Sequence, residues 1–193
     1  MRTDPRIGMV HTAGRVVDLD TGRTTSVFTA APAQDYHDLL KWCTVSCASV
    51  MMRRSALDAV GHFDESISGV DDWDMWIRLA WMYQVAGLKE ELTELREHTG
   101  NQGKRYARMY PIVRRAITKR RPAHANCGAC SAARRAALRQ LRQDYFTKAR
   151  DHAERIRSQG GFWPAIAVRF DGLCKYPEAI GRLPRRLLIG RFR

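Results

Sequence analysis

The residues best suited to do chemistry lie in one stretch, Val60–Ala80, "VGHFDESISGVDDWDMWIRLA". It places five carboxylates, Asp64, Glu65, Asp71, Asp72 and Asp74, among Trp73, Trp76 and Arg78. A carboxylate beside aromatic rings is partly desolvated and becomes a better base. A positioned base can take a proton from a hydroxyl nucleophile. The simpler reading is a helix start, because Asp and Glu complement the positive end of a helix dipole. A second constellation is "HANCGAC", with His124, Cys127 and Cys130 at H-x2-C-x2-C spacing. Those are three soft ligands where a structural zinc takes four. Cys174 or His152 would have to supply the fourth, and free thiols in a loop before a long helix are the simpler alternative.

Local pattern says which elements must position these groups. Arg6–Val17 is β-branched and Gly-flanked, a strand; "DLDTGR" has hairpin-turn chemistry and "TTSVFTA" returns. Ala33–Trp42 has helical spacing with Asp35 at its start. Thr44–Met52 is a continuous apolar run, read as a strand buried on both faces, with Cys43 and Cys47 as core residues. "RRSALDAVG" predicts a short helix capped by Ser55 and ended by Gly61. Asp72–Tyr83 predicts the helix that carries the acids. "QVAGL" and "LTELREH" fit no element clearly. Beyond Gly100 a basic helical pattern is broken at Pro111. A long helix follows, with an apolar stripe of Ala137, Leu138, Leu141, Tyr145, Ala149, Ala153 and Ile156, ended by Gly160 and Gly161. Shorter amphipathic helices complete the pattern.

Charge divides the 193 residues in two. Residues 1–100 carry 10 Lys/Arg against 15 Asp/Glu, and residues 101–193 carry 23 against 5. The expected organisation is therefore a first region over 1–100 and a basic, mainly helical region over 101–193. The basic region calls for an anionic partner, a membrane surface or nucleic acid. "RLPRRLLIGRFR" interleaves Arg with Leu, Ile and Phe as membrane-surface helices do. No recognised nucleic-acid motif is present. No run reaches the ~18–20 apolar residues that span a bilayer. Five cysteines without framework spacing, and no leader-like apolar segment, point to a reducing cytoplasmic setting, with peripheral attachment to the inner membrane face.

The acidic stretch resembles the carboxylate-bearing segment of family 2 glycosyltransferases, whose pattern is V-G-G-F-D-E, a spacer, then E-D-W-D-L-W-x-R. Gly61, Phe63, Asp64, Glu65, Asp72, Trp73, Asp74, Trp76 and Arg78 match, while His62 stands for Gly and Asp71 for Glu. "MMRRSALDAVG" resembles the preceding strand and helix, "DLDTGR" the family's hairpin, and "ELTELREH" its L-x-x-Y-R-x-H with Leu95 for Tyr.

The resemblance implies an α/β fold: a partial GT-A-like half-domain over 1–100 followed by the basic helical appendage. It implies inverting transfer of a sugar from a nucleotide-sugar donor to a saccharide or lipid-linked acceptor. Asp72 would be the general base. Asp71, Trp73, Asp74, Arg78 and Arg96 would serve the donor or acceptor site, Trp73 as a sugar platform. Arg78 would either pair with Asp74 or meet a phosphate. His98 would complete a metal site. The family uses Mg²⁺ or Mn²⁺ held by a D-x-D motif on the diphosphate. Asp18 and Asp20 do not supply it, because they fall on the hairpin, and Asp20 is only 52 positions before Asp72. The expectation is a C-terminal half of the catalytic region without the nucleotide-binding half, through a truncated coding region or with that half provided by a separate chain. The competing expectations are an inactive remnant, or a basic module on an anionic membrane or nucleic acid.

Overall fold

Strand β1 (Ile7–Asp18) is the spine of the sheet, with Met9, His11 and Ala13 alternating into the core. Our computed structural model describes residues 4–98, 106–119 and 126–178. Asp18 ends β1 by turning the chain: its Oδ1 accepts from the backbone of Asp20 and Thr21 and from Thr21 Oγ1. Gly22, at φ +68°, completes the turn in a region that favours glycine. β2 (Thr24–Phe28) then returns antiparallel along β1. β3 (Ala33–Gln34), β4 (Val50–Met52) and β5 (Gln84–Glu97) complete a mixed sheet. β5 runs parallel to β1, β3 pairs with the outer edge of β5, and β4 pairs antiparallel with β1. The protein is thus α/β.

Helix α1 (Tyr36–Lys41) starts where the sequence places it. Asp35 accepts from the backbone of His37 and Asp38, and Asp38 returns the bond to the Asp35 N–H, so both donors are satisfied. Its Tyr36, Leu39 and Leu40 pack on α3 (Asp71–Met82), which buries Trp73, Met75, Trp76, Ile77 and Leu79. Full burial of such side chains stabilises by ~1.5–3 kcal/mol each. Trp73 Nε1 donates to the Leu39 carbonyl at 2.5 Å, and Trp42 meets Trp73 edge-on with ring centroids 5.7 Å apart. α1 therefore delivers Trp42 and the residues after it to the first turn of α3.

Four local expectations need correction. Thr44–Met52 is not one buried strand. Cys47–Ser49 form a 3-10 turn, held by the Ser49 backbone and hydroxyl donating to the Ser46 carbonyl, and only Val50–Met52 pair as a strand. Cys47 and Met51 are exposed there. Ser55 does not cap α2 (Arg54–Val60): Arg53 occupies the cap, its own N–H bonded to the Gly8 carbonyl as the chain leaves the sheet. The two ambiguous segments form the single 14-residue strand β5. Its register against β1 slips between Thr12 and Gly14, so no clean alternation could show in the sequence. Pro111 does not break α4 (Tyr106–Thr118); the turns after it are held by buried Ala116 and Ile117 and by packing of α4 on α3.

The chain divides into two compact units, Met1–Ala137 and Leu138–Arg193. The expected border near residue 100 followed charge, whereas the division follows packing, since α4 is built onto the first unit. Helix α5 (Gly128–Ser158) spans the division, and α6 (Phe162–Lys175) belongs to the second unit. In that unit Leu141, Tyr145, Ala149 and Ala153 form the buried stripe of α5, as the periodicity requires. Gly172 of α6 brings the helices close: a Cβ there would lie 2.9 Å from that of Ala149. Tyr145 donates to Asp171, and Lys175 pairs with Asp171 over the Tyr145 ring. Among the described residues no helix is long and apolar enough to cross a membrane.

Candidate functional site

The fixed spacing of the acidic stretch becomes intelligible residue by residue. Gly61 ends α2 at φ +83°, where L side chains are strained. The chain then crosses the guanidinium of Arg78. Arg78 Nη1 donates to the Val60 carbonyl at 2.6 Å and to that of Gly61 at 3.3 Å, and Nη2 to His62 at 2.8 Å. At residue 62 the carbonyl is what Arg78 meets, and the His62 side chain is exposed. Phe63 meets Trp76 edge-on at 6.5 Å. Asp64 accepts from the Ser66 N–H and so starts the 3-10 turn Glu65–Ile67, which buries Ile67. Asp71 closes the loop before α3 by accepting from the Gly69 N–H at 2.9 Å.

Asp74 is wholly buried and lies between two cations. Arg78 Nε reaches its Oδ2 at 2.9 Å, and Lys119 Nζ reaches the same oxygen at 2.9 Å. Lys119 also holds Asp64 at 2.8 Å, and that contact is the first cause holding the Asp64 carboxyl well below its usual range. Lys119 thus brings one cation from the basic region onto two carboxylates of the acidic stretch. Arg78 takes the pairing role of the two the sequence allowed.

Asp72 has different surroundings. Its Oδ1 accepts the Trp73 N–H at 2.7 Å, and among the described residues no cation pairs with it. It is half-buried, and burial raises its carboxyl pKa, with the neighbouring Asp71 charge adding to the effect. The Cys43 and Cys47 thiols feel this charge. Burial first, then Asp72, pushes Cys43 up to about 12, and Cys47 shifts the same way for the same reasons. Neither thiol is therefore an activated nucleophile.

The other expected site residues lie elsewhere. Trp73 is 4% exposed with its indole N–H bonded to α1, so its ring packs the core and presents no open sugar face. Half-buried Trp42 is the aromatic beside it. Arg96 lies on β5 and pairs with Glu94, which also pairs with Arg15. His98 is exposed just past the end of β5. Mg²⁺ and Mn²⁺ need convergent oxygen ligands. The Asp18 oxygen is engaged by three hairpin donors. Among the described residues one group of three potential ligands converges, and it is rich in sulfur. These residues do not fit the hard cation that the resemblance implies.

That group is His37, Cys127 and Cys130. His37 Nε2 lies 3.6 Å from Cys127 Sγ and 3.5 Å from Cys130 Sγ, and all three ligand atoms lie within 4.8 Å of one another. The Cys130 backbone N–H leads the causes that lower the Cys127 thiol to about 6, with the His37 contact second. The sequence pairs these cysteines with His124, which lies outside the described residues; His152 and Cys174 belong to the second unit. His37 could not be found by spacing, because it precedes Cys127 by 90 residues. Compared with known proteins, the chain matches no protein-family model and no curated protein.

Proposed function

We propose that this chain carries the acceptor-activating part of an inverting family 2 glycosyltransferase of GT-A type, with Asp72 as its general base. One observation carries this reading. Gly61, Phe63, Asp64, Asp71, Trp73, Asp74, Trp76 and Arg78 each have a packing, capping or pairing task, while Asp72 keeps a raised carboxyl pKa and no cationic partner among the described residues. A raised pKa makes a carboxylate a stronger proton acceptor. In the transfer, the acceptor hydroxyl gives its proton to Asp72 as its oxygen bonds to the anomeric carbon, and the nucleoside diphosphate leaves with the bonding pair. Trp42, at the same end of α3, offers the aromatic surface that suits a sugar's C–H face. On this reading the diphosphate site and its metal belong to a nucleotide-binding half outside the described residues, in the same protein or a separate chain.

The acceptor class is lipid-linked saccharide at the cytoplasmic membrane face. On α6, Phe162, Trp163, Ile166 and Phe170 are all exposed and fall within about 100° of arc, beside the face that buries Ala165 and Gly172. Basic chemistry accompanies this stripe, in a region with 23 Lys/Arg against 5 Asp/Glu. An apolar stripe with flanking cations suits an anionic lipid surface. Vesicles containing anionic lipid should float the wild type, and Trp163→Ser with Phe170→Ser should release it. DNA shifted in a gel at equal salt, with no flotation, would favour nucleic acid instead.

Catalysis is tested by release of nucleoside diphosphate from UDP- and GDP-sugars with lipid-linked acceptors. Asp72→Asn should lower turnover by ~10²–10⁴-fold, the usual contribution of a general base. Equal turnover by both proteins removes Asp72 from the mechanism. No turnover by the wild type, alone or with a nucleotide-binding half supplied, leaves a membrane-binding remnant.

A further inference from the structure

The thiol cluster belongs to no part of the glycosyltransferase reading. Tyr36 meets both His37 and Trp81 edge-on, at 5.4 and 5.5 Å. The cluster therefore lies toward the C-terminal end of α3, away from Asp72 in its first turn. We propose that His37, Cys127 and Cys130 are three ligands of a zinc ion that fastens the first turn of α5 to the start of α1.

The distances carry the proposal. Zinc binds thiolate at ~2.3 Å and imidazole at ~2.0–2.1 Å, so the tetrahedral angle sets sulfur and nitrogen about 3.5–3.6 Å apart. The two observed separations are 3.6 and 3.5 Å. Both involve Nε2, the same ring nitrogen, so the imidazole would ligate through one atom and orient its ring through the other, as ligating histidines do. C-x2-C at a helix start is a spacing that zinc sites use. Two sulfurs and an imidazole select a soft or borderline cation and reject Mg²⁺. The elements around the cluster also suit a fastening: α1 has only six residues, held in place by its capping box and by α3. On binding, each thiol releases its proton and the sulfur lone pair makes the bond; no oxidant is involved.

The rival chemistry for the same residues is a Cys127–Cys130 dithiol that cycles to a disulfide. The test uses the full chain, purified under reducing conditions and dialysed against buffered zinc. We expect one zinc per chain by elemental analysis, and X-ray absorption at the zinc edge should show two sulfur neighbours and at least one imidazole. The same spectrum identifies the remaining ligand. Cobalt(II) titration should give tetrahedral d–d bands with thiolate charge transfer. Cys127→Ser and His37→Gln should each weaken zinc by more than the roughly 10–100-fold that loss of an outer-shell partner costs. The wild-type spectra decide the matter even if a variant fails to fold. Less than a tenth of an equivalent of zinc, oxygen- or nitrogen-only neighbours, or unchanged affinity in Cys127→Ser would each overturn the site. A reversible Cys127–Cys130 disulfide, formed in air with zinc present and unaffected by it, would overturn it in favour of the dithiol.

Discussion

Asp72 and Asp74 stand two residues apart in the first turn of α3 and face opposite worlds. The inner one, Asp74, is fully buried and held by Arg78 and Lys119. The outer one, Asp72, is half-buried without a cation beside it among the described residues, and its proton is held more tightly than in water. One carboxylate is surrounded so that its charge holds the loops together; the other carries a charge that burial disfavours. Identical side chains thus divide by helical phase into one paired inside the fold and one left without a cation among the described residues, because positions two apart point some 200° from each other around the axis.

The contrast breaks most severely at the inner carboxylate. Asp74→Ala leaves two cations beside an empty buried site, and loss of one partner of a buried pair costs about 3–5 kcal/mol. Urea unfolding followed by tryptophan fluorescence should show that loss, and Arg78→Ala should behave similarly because three loop carbonyls also lose their donor. A double-mutant cycle should give a coupling of ~1–3 kcal/mol. Additive effects would mean that Asp74 and Arg78 do not act as a unit. Gly61→Ala should cost less, about 1–2 kcal/mol, through its positive φ alone, since the space there is open to a methyl group. Lys119→Met should cost about 1 kcal/mol: the amine is one-third exposed, and Arg78 still covers Asp74.

Much of this architecture was legible. The Asp35 cap, the Asp18–Gly22 turn, the Gly61 stop and the apolar stripe of α5 are local signals, and local signals survive in one sequence. So did the acidic start of α3, by dipole chemistry and by spacing. What stayed hidden depended on distant partners. β5 carries Lys89, Glu90, Glu91, Glu94, Arg96 and Glu97, and its pairing with distant β1 and β3 makes it a strand. Lys119 looked like one more cation in a basic tail; the fold sets it against Asp64 and Asp74, more than 40 residues earlier. Trp73 looked like a sugar platform because aromatic residues serve both cores and binding sites, and only packing decides. The second cluster was half seen: Cys127 and Cys130 were visible by spacing, while His37 arrived through the packing of α1.

The smallest effect is the most discriminating, because its sign is opposite at the two carboxylates. Burial raises the folded-state pKa of Asp72 above its unfolded value, so between those two values the folded chain binds more protons than the unfolded one. Stability then falls as pH rises through that window, and above it the ionised Asp72 is a constant burden on the fold. Asp72→Asn removes that burden. It should raise the unfolding free energy measured in urea at pH 7 slightly, by less than about 1 kcal/mol. Near pH 3, where Asp72 is protonated in both states, the variant and wild type should coincide. Asp74→Asn should lower the midpoint at pH 7, since an amide cannot answer Arg78 and Lys119. A variant that gains stability at the position where turnover is lost marks a charge kept for chemistry. If Asp72→Asn instead lost stability at pH 7, Asp72 would be a second scaffold carboxylate, and the division of labour within this turn of α3 would collapse.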